Sequence, residues 1–96
     1  MRKGEMLTVF CYDISNNKSR SRVSKILEKT ASRVQFSVFE TRLVEKAAVN
    51  ISRQIEQYLD DGDSLRVYVI GGNGEHRTRI YGDGPPLENR ENYWLI

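Results

Sequence analysis

The stretch Leu7-Thr-Val-Phe-Cys-Tyr-Asp-Ile14 decides the fold that this sequence predicts. Branched and aromatic side chains dominate it, which is typical of a β-strand. Both of its alternating faces are largely apolar, so we expect both faces of the strand to be covered. The carboxylate of Asp13 stands at the end of the strand and a basic segment follows it. This strand end is therefore the first candidate for a functional site.

The pattern around this strand predicts the other elements. Apolar residues at helical spacing predict helices over about 18–30 and 44–59. The segment 33–43 is extended and contains no Gly, Pro or Asn, so the sequence leaves open one bent strand or two strands. A clear strand follows over 65–71, and a short strand is expected over 77–81. This order predicts an α+β fold, a ferredoxin-like βαββαβ sandwich with an additional short C-terminal strand.

Length and composition indicate one globular domain over residues 1–96, with its core at about 6–71 and a C-terminal loop and edge strand at 72–96. Charged residues make up 29% and apolar residues 39%, which excludes a disordered chain. No apolar run approaches the length of a membrane helix, and the start lacks an apolar signal core, so we predict a cytoplasmic protein without membrane contact. A single cysteine, Cys11, excludes an intrachain disulfide and a cysteine metal cluster.

Charge is unevenly distributed along the chain. Residues 18–42 contain seven Lys or Arg and two Glu, whereas residues 43–63 contain two Lys or Arg and five acidic residues. A basic region of this kind binds polyanions by releasing counterions. The candidates for phosphate contact are Lys18, Arg20, Arg22, Lys25 and Arg33. The alternative is a solvated helix face, and Arg20 and Arg22 lie too close in sequence to share one face.

Two helices can cover only one face of the predicted sheet. The other face is expected to show Phe10, Tyr12, Phe39, Tyr68 and Ile70. An apolar patch of this kind on a small protein predicts a partner, most simply a second copy related by a two-fold axis. The apolar segment 93–96 is expected to add to a sheet edge of its own or the neighbouring subunit.

Asp13 has two interpretations. Magnesium takes oxygen ligands, and two-fold doubling of Asp13 would supply two carboxylates that hold one ion weakly. Alternatively, Asp13 caps the following turn through its own side chain. Ser37 and Phe39 either border this site or merely pack, and the lone His76 receives no role. The sequence contains no Ser-His-Asp set, phosphate-binding loop or dinucleotide-binding glycine signature.

Four motifs together resemble the CRISPR-associated protein 2 family over roughly residues 6–71. They are Tyr12-Asp13-Ile14, Arg20-x-Arg22-Val23, Val34-Gln35-x-Ser37-Val38-Phe39-Glu40 and Asp63-Ser-Leu-Arg-Val-Tyr68. The Gln-x-Ser-Val-Phe-Glu strand combined with Tyr-Asp is the specific part. The resemblance implies a ferredoxin-like homodimer in antiviral adaptation, which lies at the centre of a complex with a larger integrase and acts as a platform for a DNA duplex destined for the CRISPR array.

The resemblance also implies a nuclease site, because some family members are described as metal-dependent endonucleases on RNA or DNA. By position, Asp13 matches the metal-binding aspartate, with Mg²⁺ or another divalent cation held between two copies. The positions linked to the nuclease site are matched by Tyr12, Arg20, Arg22, Arg33 and Phe39, and Ser37 belongs to the matching strand motif. Asn16 and Asn17 stand where many relatives carry further acidic residues, so a second carboxylate is absent there.

These observations leave three hypotheses. The chain is a slow, Mg²⁺-dependent phosphodiesterase whose catalytic residues are Asp13, Tyr12, Ser37 and Phe39. Or it is a non-catalytic adaptor that presents residues 18–33 to a duplex backbone and its C-terminal segment to the integrase. Or it is a toxin-type ribonuclease or an interaction module of the same fold. The partners predicted are a second copy, a CRISPR integrase subunit, duplex DNA and single-stranded RNA.

Overall fold

A computed structural model describes residues 4–71 and 76–83 of the chain. In chain order its elements are β1 Met6–Asp13, α1 Asn17–Glu28, β2 Ser32–Gln35, β3 Val38–Leu43, α2 Glu45–Glu56, β4 Ser64–Ile70 and β5 His76–Gly82. The strands form one antiparallel sheet in the order β2-β3-β1-β4-β5. Both helices pack against the same face of this sheet. The α+β, ferredoxin-like fold is therefore confirmed, and so is the short strand that follows β4.

Each helix ends earlier than the apolar pattern predicts, α1 by two residues and α2 by three. Asn16 caps α1, because its side chain accepts a hydrogen bond from the Ser19 amide at 2.9 Å. Val44 precedes α2 with extended backbone geometry, and no side chain caps that helix end. Gly62 adopts a left-handed φ of +87° in the loop between α2 and β4. That loop therefore turns where only glycine is unstrained.

The extended segment 33–43 forms two strands, which answers the question that the sequence left open. A turn at Phe36 and Ser37 separates β2 from β3, and the register shifts between Arg33 and Gln35. The turn contains no Gly, Pro, Asn or Asp, and Ser37 is the one residue there of a type that is common in turns. Contacts from elsewhere in the fold must therefore hold the turn.

The core lies between the helices and one face of the sheet. Phe10 of β1 pairs with Phe39 of β3 and with Val67 of β4, so these three side chains share a face. The largest fully buried side chains are Phe10, Phe39, Leu27, Ile55, Leu65, Val23 and Val67. The expectation that Phe10, Tyr12 and Phe39 lie on the uncovered face is wrong. Both faces of β1 are apolar, so its pattern alone could not say which face meets the helices.

The other face of the sheet, here called the open face, carries no helix. Val9 of β1 pairs with Glu40 and Tyr68, and Leu7 pairs with Ile70. The expectation for Tyr68 and Ile70 is thus confirmed, and Ile70 is 38% exposed. Further members by strand alternation include Cys11, Asp13, Val38, Arg42, Arg66, Thr78 and Ile80. This face is apolar along its centre and charged at several positions on neighbouring strands.

Among the helices that the structure describes, none has the length and apolar character that a membrane crossing requires. The predicted edge segment 93–96 lies outside the described residues, as do 72–75, so the expected addition of the C-terminus to a sheet edge stays a prediction.

Candidate functional site

The end of β1 divides the predicted catalytic residues between the two faces of the sheet. Tyr12 lies on the helix side and is 4% exposed, whereas Asp13 is exposed on the open face. This division follows from strand geometry, because successive side chains point to opposite faces. Phe39 is fully buried on the same side as Tyr12. Buried side chains of this kind act through the packing they hold rather than by touching a substrate.

Tyr12 holds the turn between β2 and β3. Its phenolic oxygen donates a hydrogen bond to the Phe36 carbonyl at 3.4 Å and lies 2.7 Å from the Ser24 Oγ. Its backbone amide donates to the Ser37 carbonyl at 3.1 Å. The Tyr12 ring stacks on Phe39 with 6.3 Å between ring centroids. The Ser37 position is therefore set by β1 through main-chain bonding.

Arg33 completes this arrangement from β2. Its guanidinium donates to the Ser24 Oγ at 3.1 Å, to the Glu28 carboxylate at 3.2 Å and to the Phe36 carbonyl. It also lies 4.8 Å from the centroid of the Phe39 ring, within range of a cation–π interaction. The side chain remains 37% exposed. Arg33 is thus fixed in place while part of its charge faces solvent.

Arg20 is fixed in a similar way by the loop between β1 and α1. Its Nη1 donates to the carbonyls of Ile14 at 2.7 Å and Ser15 at 3.4 Å, and its Nη2 donates to the Asn17 side chain. Arg22 points elsewhere, with its guanidinium 5.8 Å from the Tyr58 ring centroid. The prediction that Arg20 and Arg22 occupy different helix faces is confirmed.

Phe36 is the residue that the sequence analysis missed. Its side chain is 70% exposed, and the guanidinium carbons of Arg20 and Arg33 lie 5.9 and 5.8 Å from its ring centroid. An open cleft of about 300 Å³ adjoins the ring, and Ser24 and Lys25 of α1 also line it. Phe36 occupies the variable position of the Gln-x-Ser motif. An aromatic residue inside a basic segment was the available signal.

Lys18, which the sequence analysis also selected, is exposed near the start of α1 and does not line this cleft. The structure therefore brings Arg20, Lys25 and Arg33 together around Phe36. It leaves Lys18 and Arg22 outside that group.

Asp63 was also missed, although it belongs to the motif that begins β4. It is 2% exposed, and its carboxylate accepts hydrogen bonds from the Asp60 amide at 2.9 Å and from the Ser15 amide at 3.1 Å and hydroxyl at 3.3 Å. The bond from Asp60, opposed by burial and helped by those from Ser15, holds the Asp63 pKa below its ordinary value. Asp63 thereby ties the loop after Asp13 to the start of β4.

The described residues of a single chain do not by themselves form a divalent-cation site. Within 4–71 and 76–83, no three His, Cys, Asp or Glu side chains are grouped so that they could hold a metal ion. Asp13 offers one exposed carboxylate, and the loop after it is capped by Asn16 and held by Asp63 rather than by Asp13. A magnesium site at Asp13 would need further oxygen ligands beyond those that the described residues supply.

Comparisons with known proteins identify relatives of the whole fold. The family model for CRISPR associated protein Cas2 matches residues 6–78. The CRISPR-associated endoribonuclease Cas2 3 of Chloroflexus aurantiacus is 40% identical over 92 residues, which cover 95% of this chain and 99% of that protein. The crystal structure of Streptococcus pyogenes Cas2 at pH 6.5 matches with a TM-score of 0.63 and 31% identity, covering 71% of this chain and 89% of that one.

A second similar structure is a partial Cas6-RT-Cas1–Cas2 complex. Its matching chain has a TM-score of 0.60 and 25% identity, and the match covers 72% of this chain and 77% of that one. The family match includes both faces of the sheet, the turn at Phe36 and the Asp63 loop. With these matches spanning most of its length, the chain belongs to the CRISPR associated protein Cas2 family.

Proposed function

We propose that this protein acts in CRISPR adaptation as a homodimeric platform that binds nucleic acid within a complex containing Cas1. The observation that carries the proposal is the pair of arginines, Arg20 and Arg33, which internal hydrogen bonds hold beside one cleft. Guanidinium groups bind phosphate oxygens through paired hydrogen bonds. Because both side chains are already ordered, less rotamer entropy is lost when a phosphate binds them.

Phosphate contact of this kind positions a nucleic acid without selecting its sequence. Lys25 adds a third positive charge at the cleft, and Lys18 adds another near the start of the same helix. Glu28 is the acidic residue of the cleft, and it is paired with Arg33. The balance of charge therefore favours a polyanion such as duplex DNA or RNA.

The open face supports the homodimer. Its central side chains are apolar, and in a single subunit Ile70 and part of Tyr68 face solvent. A second copy packed on this face would remove that surface from water. Such packing would also bring Asp13 of one subunit toward the partner's Asp13, since both lie on the buried faces.

The proposal of a Cas1 partner rests on the similarity of this chain to a chain of a known complex. The partial Cas6-RT-Cas1–Cas2 complex contains a chain that resembles this one in fold, so a Cas1 integrase is the expected larger partner. The predicted contact through the C-terminal segment lies outside the described residues.

A second candidate function is phosphodiester hydrolysis, which the name of the Chloroflexus aurantiacus relative favours. We propose that Asp13 of both subunits would hold the divalent cation that this activity requires. Such an ion, commonly Mg²⁺, supplies charge stabilisation to the reacting phosphate. Tyr12 and Phe39 would support the site through packing, and Ser37 through the main-chain bond that holds it beside β1.

The test separates binding from cleavage. We expect Arg20→Glu combined with Lys25→Glu to weaken duplex binding and to flatten its salt dependence by roughly one unit of log–log slope for each phosphate that the variant no longer neutralises. Asp13→Ala should leave this binding unchanged while abolishing Mg²⁺-dependent cleavage of RNA or DNA. The matched control is charge reversal of Lys46 and Arg53, which belong to α2.

Binding isotherms at several salt concentrations measure the first effect, and cleavage assays with and without Mg²⁺ measure the second. Equal loss of binding in the α2 control would contradict a localised interface. Unchanged cleavage by Asp13→Ala would refute the metal proposal and leave the platform proposal intact.

A further inference from the structure

We propose that Phe36 is a stacking site for one unpaired nucleobase, and that Arg20, Lys25 and Arg33 hold the adjoining phosphates. The protein would then distinguish single-stranded segments or frayed ends from the interior of a duplex. This inference deepens the proposed function and rests on it, because it requires that the protein bind nucleic acid at this cleft.

The exposure of the Phe36 ring supports a stacking site. Phe36 is 70% exposed, against 52% for Val34, 41% for Val44 and 38% for Ile70 among the exposed large apolar residues of the described chain. The side chains around Phe36 belong to α1 and β2, on the helix side of the sheet. A second copy packed on the open face therefore does not account for this exposure.

Hydrogen bonds hold the backbone of Phe36 in place although its ring is exposed. Tyr12 and Arg33 both donate to the Phe36 carbonyl, so the backbone is anchored while the ring faces the cleft. Ser24 accepts from Arg33 and lies in hydrogen-bonding distance of Tyr12, which links the two donors to each other. A flat aromatic surface that is already ordered loses little entropy when another ring stacks on it.

The charged side chains around the Phe36 ring also favour a nucleotide. The cleft is lined by three positively charged side chains, Arg20, Lys25 and Arg33, and by one carboxylate, that of Glu28. The occupant that complements this group has a planar aromatic part and an anionic part, as a nucleotide does. The cleft volume of about 300 Å³ lies at the small end of ligand sites, which fits one base rather than a larger ligand.

Selectivity follows from the geometry of nucleic acids. In a duplex each base is already stacked and paired, so its face is unavailable except at an end. Phosphates are available in both forms, so the basic side chains contact either one. Loss of the ring should therefore affect single strands, whereas loss of the charges should affect single strands and duplexes together.

The test measures binding of the full-length protein to a labelled single-stranded oligonucleotide and to a covalently closed circular duplex, which has no end base on which the ring could stack. Phe36→Ala is expected to weaken single-strand binding by about 5- to 100-fold and to leave duplex binding within about twofold. Phe36→Leu keeps apolar bulk without an aromatic face and should lose single-strand affinity in the same way. Phe36→Trp should retain it, and Val34→Ala is the matched exposed control on β2.

A direct readout comes from Phe36→Trp in a Trp94→Phe background, which leaves one tryptophan in the chain. Stacking should quench its fluorescence when the single strand binds, and the circular duplex should leave it nearly unchanged. Thermal unfolding of each variant should match that of the parent, because the ring is mostly exposed.

Three results would overturn the inference: equal loss of duplex and single-strand binding in Phe36→Ala, full single-strand affinity in Phe36→Leu, or an unquenched tryptophan. An acidic peptide that competes as well as the oligonucleotide would also overturn it and assign the cleft to a protein partner. Failure of the parent to bind either oligonucleotide would instead refute the proposed function, so the two failures are distinguishable.

Discussion

The two sides of the sheet at the end of β1 are built in different ways. On the helix side, Tyr12, Arg33 and the Phe36 turn form a group whose bonds all come from one subunit. On the open face, Asp13 is an exposed carboxylate beside an apolar surface. The difference teaches that the contacts of the Phe36 cleft are complete within one chain, whereas Asp13 belongs to no metal-binding group of side chains among the described residues.

The largest expected effect tests whether the two sides differ in their contribution to stability. Phe39→Ala removes a fully buried ring from beneath Arg33 and Tyr12, and it should lower the free energy of unfolding by about 3–5 kcal/mol. Asp13→Ala changes an exposed side chain and should stay within about 0.5 kcal/mol of the parent. Urea unfolding measures both variants. A similar loss in Asp13→Ala would mean that the open-face residue is structural.

The next prediction tests whether a second copy packs on the open face while the Phe36 cleft works without it. Val9→Asp places a charge in the centre of that face and should dissociate the proposed dimer, because facing like charges in an interface cost several kcal/mol. Sedimentation analysis measures the mass, and Asn50→Asp at an exposed position of α2 is the control. The monomer should still bind a single strand through the Phe36 cleft. Simultaneous loss of both properties would show that the two sites are not independent.

The smallest expected effect on stability concerns Asp63, whose carboxylate ties the loop after Asp13 to the start of β4. Its folded-state pKa lies below the ordinary value of about 3.9, so its contribution to stability is present above that pH and is lost as pH falls through the folded pKa. Asp63→Asn should cost roughly 1–3 kcal/mol near neutral pH and should flatten the acid limb of the stability profile. Unfolding curves from neutral pH down into the acid range measure this. An unchanged acid limb would mean that other carboxylates dominate there.

The sequence predicted the architecture well because its elements carry strong local signals. The apolar stretch of β1, the helical periodicities and the strand before Gly71 each indicate their own structure without help from the rest of the chain. Strand order followed, since the ferredoxin-like arrangement is the usual way to pack those elements in that order. The family resemblance rested on the same residues and is confirmed.

The candidate site was predicted less completely, because its contacts join distant parts of the chain. Arg20, Lys25 and Arg33 were selected by charge, and the cleft unites them. Phe36 stands between them in the sequence, but the extended pattern of 33–43 did not predict that its ring would be exposed beside the cleft. Asp63 was seen only as part of a motif, although its carboxylate holds a loop that precedes it by many residues. Its burial and its bonds from Ser15 arise only when β4 lies beside β1.

The sequence by itself thus determined the elements, their order and the family, since each depends on local preference and on the periodicity of apolar residues. Only the tertiary structure decided which face of β1 meets the helices, and with it the burial of Tyr12 and the exposure of Asp13. It also decided the turn at Phe36 and Ser37, which no Gly, Pro or Asn marks in the sequence. The physical reason is that hydrogen bonds from Tyr12 and Arg33 hold that backbone, and those donors reach it only after the sheet and α1 have packed.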